Sequence, residues 1–158
     1  MMTVHTTVDS PVGALYLTGD GVALTSVTFD ESRAEGPYDP AAFAAAREQL
    51  TAYFAGGRTT FDLDVLPSGT EFQRRVWAAV DAIPYGTTTT YGALAARIGA
   101  PRDRIRAVGA AIGANPLLVV RPCHRVIGAD GALTGYAGGL ERKRSLLTLE
   151  GALQPLFA

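Results

Sequence analysis

The chain has 158 residues, enough for one domain or two small lobes, and an apolar content of 47% with a net charge of −1 excludes a disordered or collagen-like polypeptide. No apolar run approaches the roughly 20 residues that span a bilayer, and the N-terminus has no basic stretch leading into an apolar one, so a cytoplasmic protein without a membrane span is expected. The single cysteine, Cys123, has no partner for an internal disulfide, and His5 and His124 are too few to complete a structural zinc site with it, so neither metal nor cofactor is expected.

Residues 3–9 (TVHTTVD), 13–18 (GALYLT) and 21–29 (GVALTSVTF) read as short strands separated by Ser10-Pro11 and Gly19-Asp20-Gly21, which predicts a three-stranded meander. After a polar loop, the spacing of Phe43, Ala46, Leu50, Tyr53 and Phe54 predicts a helix that Gly56-Gly57 ends. Residues 59–65, TTFDLDV, alternate again as a fourth strand, and Pro67-Ser68-Gly69 breaks the pattern, giving lobes at 1–67 and 68–158.

The second lobe opens with Ser68-Gly69-Thr70-Glu71, which fits a capping box whose glutamate reaches back to the cap; Phe72, Val76, Val80 and Ile83 then form one apolar stripe up to Pro84. A short helix from about Thr90, with Leu94 and Ile98 inward, closes at Gly99, and Pro101 opens another with Ile105, Val108 and Ile112 on one side. Two short helices around a glycine turn make a helix-turn-helix candidate. Away from its apolar stripe the second helix carries Arg102 and Arg106, then Gly109, Ala110 and Gly113. Glycine costs about 1 kcal/mol relative to alanine in a helix, so something gains from the missing side chains: close approach of a duplex, or close packing of another helix.

Charge separates along the same boundary. Residues 1–67 hold three Arg/Lys against nine Asp/Glu, net −6, and residues 68–158 hold eleven against six, net +5. The basic half points to an anionic partner or, more plainly, to a docking surface between the two halves.

Leu117 to Val120 reads as an apolar strand running into a proline-fixed turn, PCHRVIG. A lone cysteine is commonly a packed small hydrophobe, but Arg121, Arg125 and the basic surroundings favour the thiolate, lowering the Cys123 pKa below the usual value of about 8.5. His124 is a candidate to take the thiol proton. Adjacent residues of a strand point to opposite faces, so a turn or a bridging water must connect the two. A histidine base needs an orienting partner, and Glu150 is preferred to Asp130 and Glu141 because it ends a buried stripe at a helix C-terminus, where an unpaired carboxylate is costly. Residues 131–139, GALTGYAGG, form a glycine-rich loop around Tyr136, suited to stacking on a flat ring or, more plainly, to a hairpin turn.

The stretches FQRRVWAAVDAIPYGTTTTYG, IRAVGAAIGANP, PCHRVIG, LTGYAGG and RKRSLLTLEG, in that order, cover nearly all of residues 70–151 and resemble the O6-alkylguanine-DNA alkyltransferases. The resemblance implies an α+β chain, with a small N-terminal ribonuclease-H-like α/β lobe followed by a helix-turn-helix, winged-helix-like C-terminal lobe. It implies DNA repair by direct, irreversible transfer of the alkyl group of O6-alkylguanine, and of O4-alkylthymine, to Cys123 after nucleotide flipping, once per molecule. On that resemblance His124 is the water-mediated base, Glu150 orients it, and Asn115 braces the turn and helix behind the site. Tyr91 rotates the target phosphate and hydrogen-bonds the leaving guanine, Arg106 enters the stack, Tyr136 forms one side of the base pocket, and the backbone of Cys123 and Val126 reads the guanine edge. The Ala137 N–H bonds the substrate oxygen where some members carry serine, and Arg102, Gly109 and Ala110 lie on the DNA face.

The implied partner is double-stranded DNA, gripped through its minor groove by a monomer that can cooperate along the duplex. The zinc ligands of some animal members are absent. Arg121 stands where the family usually has an aliphatic residue, and its head group is expected at the surface or on an acidic group of the first lobe. Lesion-binding relatives of the alkyltransferase-like class carry tryptophan in place of the cysteine, which Cys123 argues against. A cysteine hydrolase leaves the basic helix unexplained, and a helix-turn-helix regulator calls for Asn and Gln that are scarce on the recognition helix.

Overall fold

The computed structural model, which describes residues 2–154, begins with an antiparallel meander of β1 (Val4–Val8), β2 (Leu15–Gly19) and β3 (Leu24–Thr28). Pairing of Thr6 with Leu17 and of Leu17 with Val27 sets the register, and Val4, Val8, Leu15, Leu17, Leu24 and Val27 are buried. Helix α1 (Ala44–Phe54) buries Ala46, Leu50 and Tyr53. Phe43, expected within this helix, is its N-cap in the left-handed region at φ 57°, with its N–H donating to Gly21 O at 2.8 Å. That conformation costs about 1–2 kcal/mol, which burial of the ring at about 1.5–3 kcal/mol offsets.

Residues 59–65 are not a strand. The Gln49 side chain of α1 holds the backbone of Asp62 at both its N–H (2.9 Å) and its carbonyl (3.0 Å), and β3 receives only a single bridge, from Val65 to Leu24. Alternation here marks an extended segment that rests Phe61 against Tyr53 (5.4 Å between rings). Leu117 to Val120 is not a strand either. Leu117 makes one bridge to Val27, with Val27 N–H donating to Pro116 O (2.8 Å) and Leu118 N–H to Val27 O (3.0 Å), and the chain then turns through Val119 at φ 69°. Pro116–Val120 thus belongs with the first compact unit, which otherwise ends at Ser68, an excursion that a single boundary at residue 67 does not provide for.

The second unit comprises Gly69–Asn115 and the residues from Arg121 onward. Its first helix, α2 (Glu71–Asp81), is capped by Thr70, not Ser68: Thr70 Oγ1 accepts from Gln73 N–H (3.1 Å), and Gln73 Oε1 accepts from Thr70 N–H (2.9 Å). Gly69 at φ 82° is left-handed, so the helix cannot begin before Thr70, and Gln73 replaces the expected Glu71 in the box. Trp77 is buried in the stripe between Val76 and Val80, its Nε1–H donating to Ala111 O at 2.8 Å.

Strand β4 (Thr89–Thr90) leads into α3 (Tyr91–Arg97), which Thr90 Oγ1 caps at 3.1 Å from Ala93 N. Gly99 turns the chain at φ 72°, a left-handed conformation glycine adopts without cost, and a 3-10 turn at Arg102–Arg104 precedes α4 (Ile105–Gly113). Ile105, expected inward, is exposed: it is the first residue of α4, one turn ahead of the buried stripe of Val108, Ala111 and Ile112. Strand β5 (Val126–Ile127) pairs in parallel with β4, and α5 (Leu140–Leu149) buries Leu146 and Leu147. Val76, Trp77, Val80, Leu94, Val108, Ile112 and Val126 share one core with Cys123. The order of strands, α1 and then the α3–α4 helix-turn-helix is the α+β architecture expected. Among the described residues no helix is long and apolar enough to cross a membrane.

Candidate active site

Cys123, His124 and Arg125 wind into one 3-10 turn, with Arg125 N–H donating to Pro122 O (3.0 Å) and Cys123 N–H to Arg121 O (2.7 Å). This winding removes the difficulty posed by a strand, in which neighbouring side chains diverge. Asn115, buried after the end of α4, donates from Nδ2 to Arg121 O (3.2 Å) and also hydrogen-bonds Cys123, so one amide fixes both the entry and the head of the turn.

His124 is fully buried, and its Nε2 lies 2.8 Å from Glu150 Oε2. Glu150 caps the C-terminus of α5, and its carboxylate also receives Arg125 through Nε to Oε1 (2.7 Å) and Nη2 to Oε2 (3.0 Å). Arg125 Nη1 donates to Ile83 O at 2.7 Å, so this guanidinium is a buried strut between Glu150 and the end of α2. Burial pushes the His124 pKa below its ordinary value, against the pull of Glu150, which keeps the ring neutral at physiological pH. A neutral ring that donates from Nε2 to a carboxylate carries its acceptor lone pair on Nδ1, which has no hydrogen-bond partner among the described residues. Nδ1 is therefore the ring nitrogen with a lone pair free to accept a proton.

Burial also overturns the expected thiolate. The Cys123 thiol is pushed up to about 12, with desolvation outweighing the lowering effects of Arg121, Asn115 and Lys143. The resting group is a thiol, and any reaction that uses its sulfur as a nucleophile must first remove this proton. Arg121, expected at the surface or on the first lobe, meets Asp81 of α2 instead, Nε to Oδ1 at 3.3 Å, and lies 4.8 Å over the Trp77 ring. Asp81 follows Trp77 by one helical turn, and one guanidinium covers both.

Lys143 is the only lysine of the sequence and is fully buried, yet apolar periodicity gave no sign of it. Its Nζ donates to Val126 O (2.6 Å), Thr134 O (2.7 Å) and, at 3.5 Å, Gly135 O, which ties the glycine-rich loop to β5. A lone lysine among thirteen arginines is the signal that could have found it. Thr134 O also accepts from Tyr91 Oη (3.1 Å), so Tyr91, the loop and Lys143 converge on one carbonyl. Tyr136 stands edge-on to His124 at 6.4 Å between ring centroids, and Ala137 follows it on the exposed part of the loop. The carbonyls of Cys123 and Val126 already accept from Val126 N–H and Lys143 Nζ, leaving one lone pair each for a further donor.

On α4 and the turn before it, Arg102, Arg106 and Ala110 are exposed. A side chain at Gly109 would first meet the Tyr91 ring at an ordinary 3.9 Å, and one at Gly113 would meet nothing within 4 Å. Packing within the unit therefore does not explain these glycines. Among the described residues, no group of three His, Cys, Asp or Glu side chains is placed to hold a metal ion.

Residues 71–152 match the DNA-binding domain of 6-O-methylguanine DNA methyltransferase, and residues 3–67 match its ribonuclease-like domain. The chain belongs to the 6-O-methylguanine DNA methyltransferase family. Among members of this family, a methylated-DNA--protein-cysteine methyltransferase of Mycolicibacterium paratuberculosis is 53% identical over 159 residues, covering 98% of this chain and 96% of that protein. The crystal structure of Mycobacterium tuberculosis O6-methylguanine methyltransferase superposes with a TM-score of 0.89 at 50% identity, covering 98% and 96% of the two chains. A structure of the M. tuberculosis protein in complex with DNA gives a TM-score of 0.89 at 52% identity over 94% and 93% of the chains.

Proposed function

We propose that the chain repairs O6-alkylguanine, and O4-alkylthymine, in double-stranded DNA by moving the alkyl group directly and irreversibly to Cys123. The observation that carries this reading is the buried array of Cys123, His124 and Glu150 in a chain of the methyltransferase family. In the transfer, a bond forms between Cys123 Sγ and the alkyl carbon, the bond from that carbon to guanine O6 breaks, and its electron pair stays on the purine. The thiol proton passes through water to His124 Nδ1 and on to the departing guanine, while Glu150 holds the ring and stabilises the imidazolium that forms. A thioether is a poor leaving group, so each molecule acts once.

DNA lies with its minor groove on α4, where Gly109 and Ala110 allow close approach and Arg102 neutralises phosphate. An alkylated base inside the stack is out of reach of a buried thiol, so the nucleotide is flipped into the pocket walled by Tyr136, and Arg106 takes its place. Tyr91 moves its hydroxyl from Thr134 O to the leaving base, the Ala137 N–H meets the substrate oxygen, and the Cys123 and Val126 carbonyls read the guanine edge. The protein works as a monomer in the cytoplasm and needs no cofactor. The test is a Cys123→Ala variant given duplex containing O6-methylguanine: it binds the duplex as the parent does and leaves the lesion in place. Removal of the lesion by this variant refutes the reading.

A further inference from the structure

Arg121 is the residue that the family pattern leaves without a role, and its surroundings give it one. Its carbonyl accepts both the Cys123 N–H (2.7 Å) and Asn115 Nδ2 (3.2 Å), so its backbone is the anchor of the cysteine turn. Its guanidinium is clamped between Asp81 Oδ1 (3.3 Å) and the face of Trp77 (4.8 Å), successive turns of α2, and Trp77 lies in the same core cluster as Cys123. The Arg121 side chain, two residues before Cys123, is mostly buried and held on α2, and its charge lowers the pKa of the thiol.

We propose that Arg121 and Asp81 form a charge pair of opposed influence on Cys123, in which Arg121 is a positioning residue that speeds ionisation and attack of the sulfur and Asp81 restrains it. This rests on the reading of Cys123 as the alkyl acceptor. Of the other polar groups around the sulfur, Lys143 of α5 is committed to the carbonyls of residues 126, 134 and 135 and His124 to Glu150, which Arg125 also holds, while Asn115 divides its amide between the Arg121 carbonyl and Cys123 itself and carries no charge. Arg121 is the strongest of the influences that favour the thiolate, and Asp81 opposes it. The pair lets one exposed carboxylate on α2 grade the reactivity of a buried thiol.

A small alkylating probe separates this from DNA recognition. Iodoacetamide forms a bond from Sγ to its methylene carbon with loss of iodide, and the thiol proton passes to solvent. The rate at Cys123, followed by peptide mass across pH 6–9, measures the thiolate fraction, which changes tenfold for each unit of pKa, as a nearby charge commonly produces. Arg121→Met is expected to slow labelling at a given pH by about tenfold, Asp81→Asn to speed it by about threefold, and Arg121→Lys to stay near the parent rate. The same ordering is expected for transfer from O6-methylguanine duplex, with melting temperatures confirming that each variant is folded. Loosening of the turn alone moves both charge-removing variants in one direction. That result, or no change in either, overturns the proposal. A parent protein that labels with iodoacetamide yet accepts no alkyl group from DNA instead defeats the functional reading, and the two failures are thereby distinguished.

Discussion

Replacing Lys143 by methionine keeps most of the buried stem and removes the charge and its donors. Two close charge-assisted hydrogen bonds are lost, to Val126 O (2.6 Å) and Thr134 O (2.7 Å). Bonds of this kind contribute about 1.5–3 kcal/mol each. Relief from burying an ammonium returns part of that, since desolvation already pulls the Lys143 pKa down from 10.5 to about 8. Thr134 O keeps the Tyr91 hydroxyl, whereas the Val126 carbonyl is left without its lysine donor in the interior. The net loss is about 2–3 kcal/mol, a fall in Tm on the order of 5–10 °C for a chain of this size. Because the loss falls on the loop carrying Tyr136 and Ala137, single-turnover transfer from O6-methylguanine duplex drops by more than tenfold, while DNA affinity changes by less than about threefold. The lysine also gives the parent a signature in alkali. Below about pH 8 the amine is protonated in both folded and unfolded chains and the burial cost is fully present; between about 8 and 10.5 only the unfolded chain holds the proton, so stability from this group rises with pH. Lys143→Met abolishes that rise. An unchanged Tm together with a parental transfer rate refutes the assignment of Lys143 as the clamp of the loop.

Glu150→Gln leaves Arg125 and His124 with a neutral partner inside the protein and is expected to cost about 3–5 kcal/mol in urea unfolding and to abolish most transfer. The His124 pKa lies below 6.5, so the unfolded chain takes up this proton first: the stability associated with it declines as pH falls through 6.5, and transfer does not lose its base until pH is below that value. Circular dichroism melts and single-turnover rates between pH 5 and 8 test both signs. Ala110→Leu, at an exposed position of α4, is expected to leave Tm within about 2 °C and to weaken duplex binding about tenfold in a fluorescence-anisotropy titration.

The cysteine, its histidine and the distant glutamate were legible because their chemistry is local: a proline-fixed turn, a base beside a thiol, and a carboxylate where a helix end makes one costly. What escaped depended on burial. Arg125, expected to favour the thiolate, is taken up by Glu150 and the Ile83 carbonyl, and burial of Cys123 itself raises the thiol that its basic neighbours were expected to acidify. Two strand readings misled, the alternation of residues 59–65, which marks an extended segment that packs one face without joining a sheet, and the apolar run of residues 117–120, which is largely buried in a turn. In the first case Gln49 supplies the hydrogen bonds, and in the second a single bridge to Val27 is followed by a turn. The start of α2 was set by hydrogen-bond geometry within one or two residues, which moved the capping box to Thr70 and Gln73, and Ile105 stands exposed at the first residue of α4.

The central claim is a covalent one and has a direct count. When the protein is incubated with an excess of duplex bearing O6-methylguanine with a labelled methyl group, the account predicts that uptake stops at one methyl per chain, all of it on the peptide that carries Cys123. Continued turnover beyond one equivalent, or label on any other residue, contradicts it.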